Sequence, residues 1–238
     1  LNKSPAPHIR FQDSNRTLMW DMILALAVLY GIAYLSYGWR TIVLGGTAIG
    51  AAVICDALCV LLRGRRPNIW DFSPVVTGMI LALTMPATIP YPIVAASAAF
   101  AILIAKHPFG GTGHNLFNPA AAGFAFAATC WPGQTFSYPT PFQHLPVFGT
   151  ITAQLQENPV FVLKVGGLPS NDPTDLLLGN YPGPMGATNI LVILACMLFL
   201  IYRKTIRWQL PVCFLGSCAL MAFLFPRVGS GRGLQSII

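Results

Sequence analysis

The sequence predicts an all-α fold, a polytopic transmembrane helical bundle with about seven spans, several of them short or broken. Three observations predict it. Hydrophobic residues make up 55% of the 238 and charged residues only 9%, with a mean hydropathy of +0.63, whereas a soluble domain carries roughly a quarter charged residues. Apolar runs recur at or near the ~20 residues a helix needs to cross the hydrocarbon core. The charges fall in short groups between those runs, as a positive-inside bias requires. A nucleic-acid binder would instead gather its cations on one surface, so the net charge of +7 is not a nucleic-acid signal.

Residues 1–20 are polar and form a cytoplasmic N-terminal segment. The "YLSYGWR" after the first apolar run has no small-residue cleavage site, so that run is a retained span rather than a signal peptide. Residues 21–37 make the first span and 41–62 the second. Segment 74–85 is short and stops at a proline, 91–105 crosses back, and 119–131 is short again. These segments make up a first transmembrane group, 21–131, with a Gly/Asn-rich break inside it. Residues 132–186 are a long Pro/Gly-rich loop, 187–226 a second group with spans at 187–202 and 209–225, and 227–238 a helix-poor tail. Seven crossings put Lys3, Arg10, Arg16, Arg63, Arg65, Arg66, Lys106, Arg203, Lys204 and Arg207 on one side. Arg40, Lys164, Arg227 and Arg232 lie on the other. The richer side is cytoplasmic, which places the N-terminus inside and the loop 132–186 outside.

Six cysteines, Cys55, Cys59, Cys130, Cys196, Cys213 and Cys218, lie in or beside apolar segments without a C-x-x-C pair. That spacing argues against disulfide staples and zinc sites, although Cys55 and Cys59 share a helix face at i, i+4.

The stretch "KHPFGGTGHNLFNPAAAGFAF" (106–126) sets glycines and asparagines between two apolar runs. Non-helical backbone at membrane depth survives only where protein or a cavity satisfies it, so a buried, ligand-facing break is expected here. Gly110, Gly111 and Gly113 permit positive φ and close approach to a ligand. Asn115 and Asn118 carry amides that donate and accept, suiting the edge of a heteroaromatic ring. Asn118 precedes Pro119 and equally suits a helix N-cap. No Gly-Lys-Ser/Thr follows, so this is not a P-loop. Asp56 lies inside the second span, where a carboxylate is costly unless paired or hydrated; Arg63, Arg65 and Arg66 are candidate partners. Asp21 reads as a partner for the dipole at the start of the first helix.

The residues from "SPVVTGMILALTMPATIPYP" through "GGTGHNLFNPAAAGFAF", and "TDLLLGNYPGPMGATNILVILACMLFLIYRKTIRWQLPV" after them, resemble the RnfD/NqrB family. RnfD is a membrane component of the Rnf ferredoxin:NAD oxidoreductase complex, and NqrB is its paralogue in the sodium-pumping NADH:quinone reductase. "SPAPHIR" near the start fits the same pattern. The resemblance implies a component of an ion-motive, redox-driven translocase of a bacterial or archaeal cytoplasmic membrane, rather than an enzyme alone. It implies flavin cofactors (riboflavin and/or FMN), other membrane and peripheral subunits and membrane lipid as partners, and coupling to Na+ or H+. A non-covalent flavin would fall on Gly113, Asn115 and Asn118, and a cation pathway on Asp56. The family joins an FMN to the threonine of Ser/Thr-Gly-Ala-Thr. Here "MGAT", Met185 to Thr188, lacks the leading hydroxyl and opens the next span, while Val162 stands where an upstream threonine is expected. Covalent FMN is therefore not expected at Thr188. Members of the family continue into further helices, so this chain is expected to correspond to part of that length. A small-solute or ion transporter without a redox cofactor is the rival reading, because broken helices serve permeation as well. A cofactor-free anchor subunit is the third.

Overall fold

The structure is a computed structural model that describes residues 15–64, 71–111, 115–149, 154–155, 158–164, 167 and 172–225. Its described elements are helical, with no strand beyond an isolated bridge between Pro139 and Leu155.

Helices α1 (Asn15–Tyr37) and α2 (Trp39–Leu62) form a hairpin joined by a single residue, Gly38. A one-residue link must reverse the chain at once, and Gly38 does so at φ 78, a conformation that costs a side chain dearly. Thr41 Oγ1 donates to Gly38 O at 2.9 Å and fixes the turn. Helix α3 (Ser73–Leu83) ends where "TMPATIP" removes helix donors, and α4 (Tyr91–Phe100) resumes after Pro90. A π-helical turn, Ala101–Lys106, prolongs α4. Helix α5 (Pro119–Cys130) follows, then three short helices in the long loop, α6 (Pro132–Thr135), α7 (Pro159–Lys164) and α8 (Pro173–Leu178). Helices α9 (Ile190–Tyr202) and α10 (Gln209–Leu224) close the described chain.

Each of the seven apolar segments read from the sequence is helical, but their lengths correct the span count. Among the described residues, only α1 and α2 are long and apolar enough to cross a membrane; five apolar helices, α4 with its π-turn among them, are shorter. At 1.5 Å per residue, a helix of 11–16 residues reaches only about 17–24 Å of a ~30 Å core.

Helix α2 lies at the centre, with α1, α3, α4 and the π-turn packed around it. Leu44, Ala48 and Ala52 on α2, Leu81 and Ala82 on α3, and Val94 and Ala98 on α4 are all fully buried. Small residues bring these helices together. A Cβ on Gly78 would lie 2.8 Å from the Ile49 Cα, and one on Gly123 would lie 2.7 Å from the Ser97 carbonyl oxygen.

A second break, between α3 and α4, is buried within the chain itself. Phe109, Leu116 and Phe117 are exposed at 41%, 70% and 62%, whereas Met85, Ala87 and Ile89, between α3 and α4, are at 0%. The carbonyls of that inner break have found donors. Buried Arg40 donates through Nε to Ala87 O (2.7 Å) and through Nη2 to Ile89 O (3.0 Å). Its Nη1 reaches Pro146 O and Val147 O, both at 3.2 Å. The turn before α9 covers the rest, with Met185 N donating to Met85 O and Gly186 N to Leu83 O.

Candidate functional site

The end of α2 and the end of the π-turn come together around Asp56. The wide turn, closed by His107 N on Ile102 O at 3.1 Å, lets two consecutive residues face one carboxylate. Lys106 Nζ lies 2.8 Å and His107 Nε2 2.9 Å from Asp56 Oδ1. π-Helical turns of this kind are frequent at functional sites. Arg63, just past the end of α2, donates from Nη2 to the His107 carbonyl.

The side chains of Lys106, His107 and Asp56 are exposed by only 2%, 9% and 15%. They line a cavity of about 210 Å3 together with Arg63, Asp71, Gly110 and Gly111. Asp71 Oδ1 accepts from Ser73 N at the start of α3. His107 Nδ1 is buried with no hydrogen-bond partner among the described residues. With Nε2–H directed at Asp56, that atom is an open acceptor; on the protonated ring it is a second donor. Two carboxylates, two cations and an imidazole line one small cavity, so Asp56 can trade one positive partner for another.

Asp56 is ion-paired among the described residues, through partners the sequence reading did not name. Its described partners are Lys106 and His107; Arg63 bonds the backbone, and Arg65 and Arg66 lie outside the described residues. The sequence signal for Lys106 and His107 is a Lys-His pair directly ending an apolar run, a pattern that by itself marks only sidedness. Asp21 also departs from expectation. It stands beyond the first turn of α1, and its carboxylate is gripped by Arg203 Nη2 at 3.0 Å and Thr205 Oγ1 at 3.0 Å.

The Gly/Asn stretch is partly described. Gly110 and Gly111 take positive φ, 113 and 90, and Gly113 lies outside the described residues. Asn115 Oδ1 is buried without a described partner. Asn118 caps α5, its Oδ1 accepting from Ala120 N at 3.0 Å. Thr188 is 4% exposed behind the turn that covers Met85. In the long loop, Phe136, Tyr138, Leu155, Phe161 and Lys164 line a cavity of about 570 Å3 that the sequence did not announce. Burial pushes the Tyr138 phenol up from its ordinary pKa. Val162 is half-buried on α7 beside this cavity. The six cysteines are free.

Residues 2–236 match the NQR2, RnfD, RnfE family. The chain belongs to this family. Similar members include a subunit of the Na(+)-translocating ferredoxin:NAD(+) oxidoreductase complex of Acetobacterium woodii, 33% identical over 94% of this chain and 69% of that protein. The corresponding subunit of the proton-translocating ferredoxin:NAD(+) oxidoreductase complex of Clostridium ljungdahlii is 32% identical over 93% of this chain and 68% of its own length. That of the ion-translocating oxidoreductase complex of Aeromonas hydrophila is 30% identical over 94% and 73%. Membership in the NQR2, RnfD, RnfE family and two long apolar helices agree on a membrane location.

Proposed function

We propose that the chain is a membrane subunit of an Rnf-type ion-motive electron transport complex, passing electrons between cytoplasmic and external partners in step with Na+ or H+ movement. The five shorter helices complete the crossings together with the broken backbone beside them, with the N-terminus cytoplasmic and the loop 132–186 outside. The observation that carries the reading is Asp56, held at 2.8 Å and 2.9 Å by Lys106 and His107 beside a cavity. A carboxylate on a membrane helix costs about 2.5–3.5 kcal/mol at the bilayer centre. Lys106 offsets that cost at rest, and a cation or proton reaching Asp56 takes its place. Similar proteins are named for sodium and for proton translocation at nearly equal identity, 33% and 32%; overall relatedness therefore does not select the ion.

The buried Oδ1 of Asn115, without a partner among the described residues, fits a non-covalent flavin, offering an acceptor to a ring N–H. Asn118 has its oxygen engaged as a cap and retains its amide nitrogen for a ligand. Gly113 completes the proposed contact. Thr188 does not fit a covalent FMN, because its side chain is packed in the turn at 4% exposure. Bound flavin supplies the electron-carrying chemistry, while this chain sets its distance and solvent access.

The test has two readouts. Purified protein is expected to show a flavin absorption spectrum that weakens in Asn115→Leu; a colourless preparation defeats the flavin assignment. In proteoliposomes of the whole complex, Asp56→Asn is expected to abolish coupled ion uptake while assembly persists. Normal uptake by Asp56→Asn complexes reduces the carboxylate to a structural salt bridge.

A further inference from the structure

The turn between α9 and α10 is basic, carrying Arg203, Lys204 and Arg207 within five residues. Arg203 is spent on Asp21, through Nε at 3.1 Å and Nη2 at 3.0 Å, and Thr205 holds the same carboxylate. Lys204 and Arg207 are both exposed and make no ion pair among the described residues. They flank an open depression of about 470 Å3 whose other walls are Ile201, Ile206 and Trp208.

The backbone at Lys204 is informative. Lys204 N donates to Ile201 O and Thr205 N to Leu200 O, the paired bonds that close a helix C-terminus through a left-handed residue. Glycine is the cheap occupant of that position, yet a lysine sits there at φ 59. The fold bears that strain and gains an ammonium group over the depression.

We propose that this turn binds the phosphate headgroup of an anionic phospholipid. Lys204 and Arg207 supply two cations, and Arg207 brings a planar fork suited to phosphate oxygens. Trp208, 60% exposed, and Tyr202, 85% exposed, flank the site as aromatic side chains do at headgroup depth. Ile201 and Ile206 line the depression, and the apolar helix α10 that follows it has no buried residue, so acyl chains have an apolar surface to follow. Basic pockets at helix ends on the cytoplasmic side are suited to such headgroups. The proposal rests on the membrane-spanning reading above, with this turn at the cytoplasmic face.

The test uses the full chain, with its partner subunits if they are needed for extraction. Protein is reconstituted in phosphatidylcholine, with or without a minority of phosphatidylglycerol, and native mass spectrometry counts the lipid retained. Each cation is worth roughly fivefold in affinity, so phosphatidylglycerol is expected to be retained roughly 5–30-fold over phosphatidylcholine. Lys204→Gly and Arg207→Gln each lose about fivefold of that preference. Lys204→Gly is also expected to raise the melting temperature in neutral detergent, since glycine relieves the strained backbone; this separates lost charge from lost folding. Equal retention of the two lipids by wild type overturns the proposal, as does displacement of the lipid by millimolar inorganic phosphate, which marks a general anion site. Unchanged lipid preference in both variants, with loss of a partner subunit, overturns it in favour of an acidic protein surface. Failure to enter phosphatidylcholine bilayers at all defeats the membrane reading and this proposal together.

Discussion

Where α2 ends, Asp56 meets Lys106 and His107 at 2.8 Å and 2.9 Å; where α2 begins, Arg40 meets backbone carbonyls at Ala87, Ile89, Pro146 and Val147. Both ends bury charge. At one, every partner is a side chain that can rotate or change protonation. At the other, four partners are backbone oxygens of the helix break and of the long loop, joined by the Tyr91 hydroxyl at 3.4 Å, and Arg40 further lies 4.8 Å from the ring centroid of Tyr91. A guanidinium satisfied by backbone cannot be exchanged for an ion without undoing the fold around it. A carboxylate satisfied by ammonium and imidazole can. The contrast leaves the loop-covered end fixed and agrees with the exchange proposed for Asp56 at the other.

The harshest way to break this comparison is Arg40→Met. It strands four carbonyls, each unsatisfied group costing about 1–3 kcal/mol, and folded, monodisperse protein is expected to vanish from detergent size-exclusion profiles. Arg40→Lys is expected to recover only part, because a point charge cannot fork between oxygens on separate segments. Lys106→Met comes next. Leaving Asp56 with the imidazole alone costs about 3–5 kcal/mol, read as a fall in melting temperature. Adding Asp56→Asn to it is expected to restore most of the stability while ion coupling stays lost. Were the double variant no more stable than the single, the two residues would not be answering each other.

Much of this division is open to sequence reading, and the misses share a cause. All seven apolar segments are helical because periodicity and composition act locally. The reach of α3, α4 and α5 falls short of the expected spans, because prolines at 86, 90 and 132 bound them and only the third dimension shows what fills the gap. "TMPATIP", the proline-bearing break after the short segment 74–85, is buried within the chain. Its signal is a lone arginine, Arg40, beside an apolar run, and nothing in the linear order says which carbonyls it will meet. Asp56 is legible as an anomaly of polarity. Lys106 and His107 are not, because a π-turn has no marker in the sequence and pairing across fifty residues is a matter of packing.

Smaller effects sharpen the same contrast. Gly186→Ala would put a Cβ 2.7 Å from Leu83 Cβ, against the covered break. Overpacking of that kind costs about 1–3 kcal/mol, so thermal stability is expected to fall with ion coupling intact in whatever protein assembles. Asn118→Ala removes the cap of α5 and costs about 1 kcal/mol, the least of the series, visible as a shift of a few degrees in detergent melting.

Arg40 also imposes an order on synthesis. Its carbonyl partners at Ala87 and Val147 lie 47 and 107 residues further along the chain. At translation rates of roughly 5–20 residues per second, the guanidinium exists for on the order of 5–20 s before the last partner has been made. During that interval it has to stay hydrated, with its aliphatic stem against the first hairpin and its head reaching for water. The inner break therefore cannot lock as its own residues emerge from the ribosome. It waits for Pro146 and Val147, and a nascent chain arrested before them leaves Arg40 without two of its four carbonyl partners.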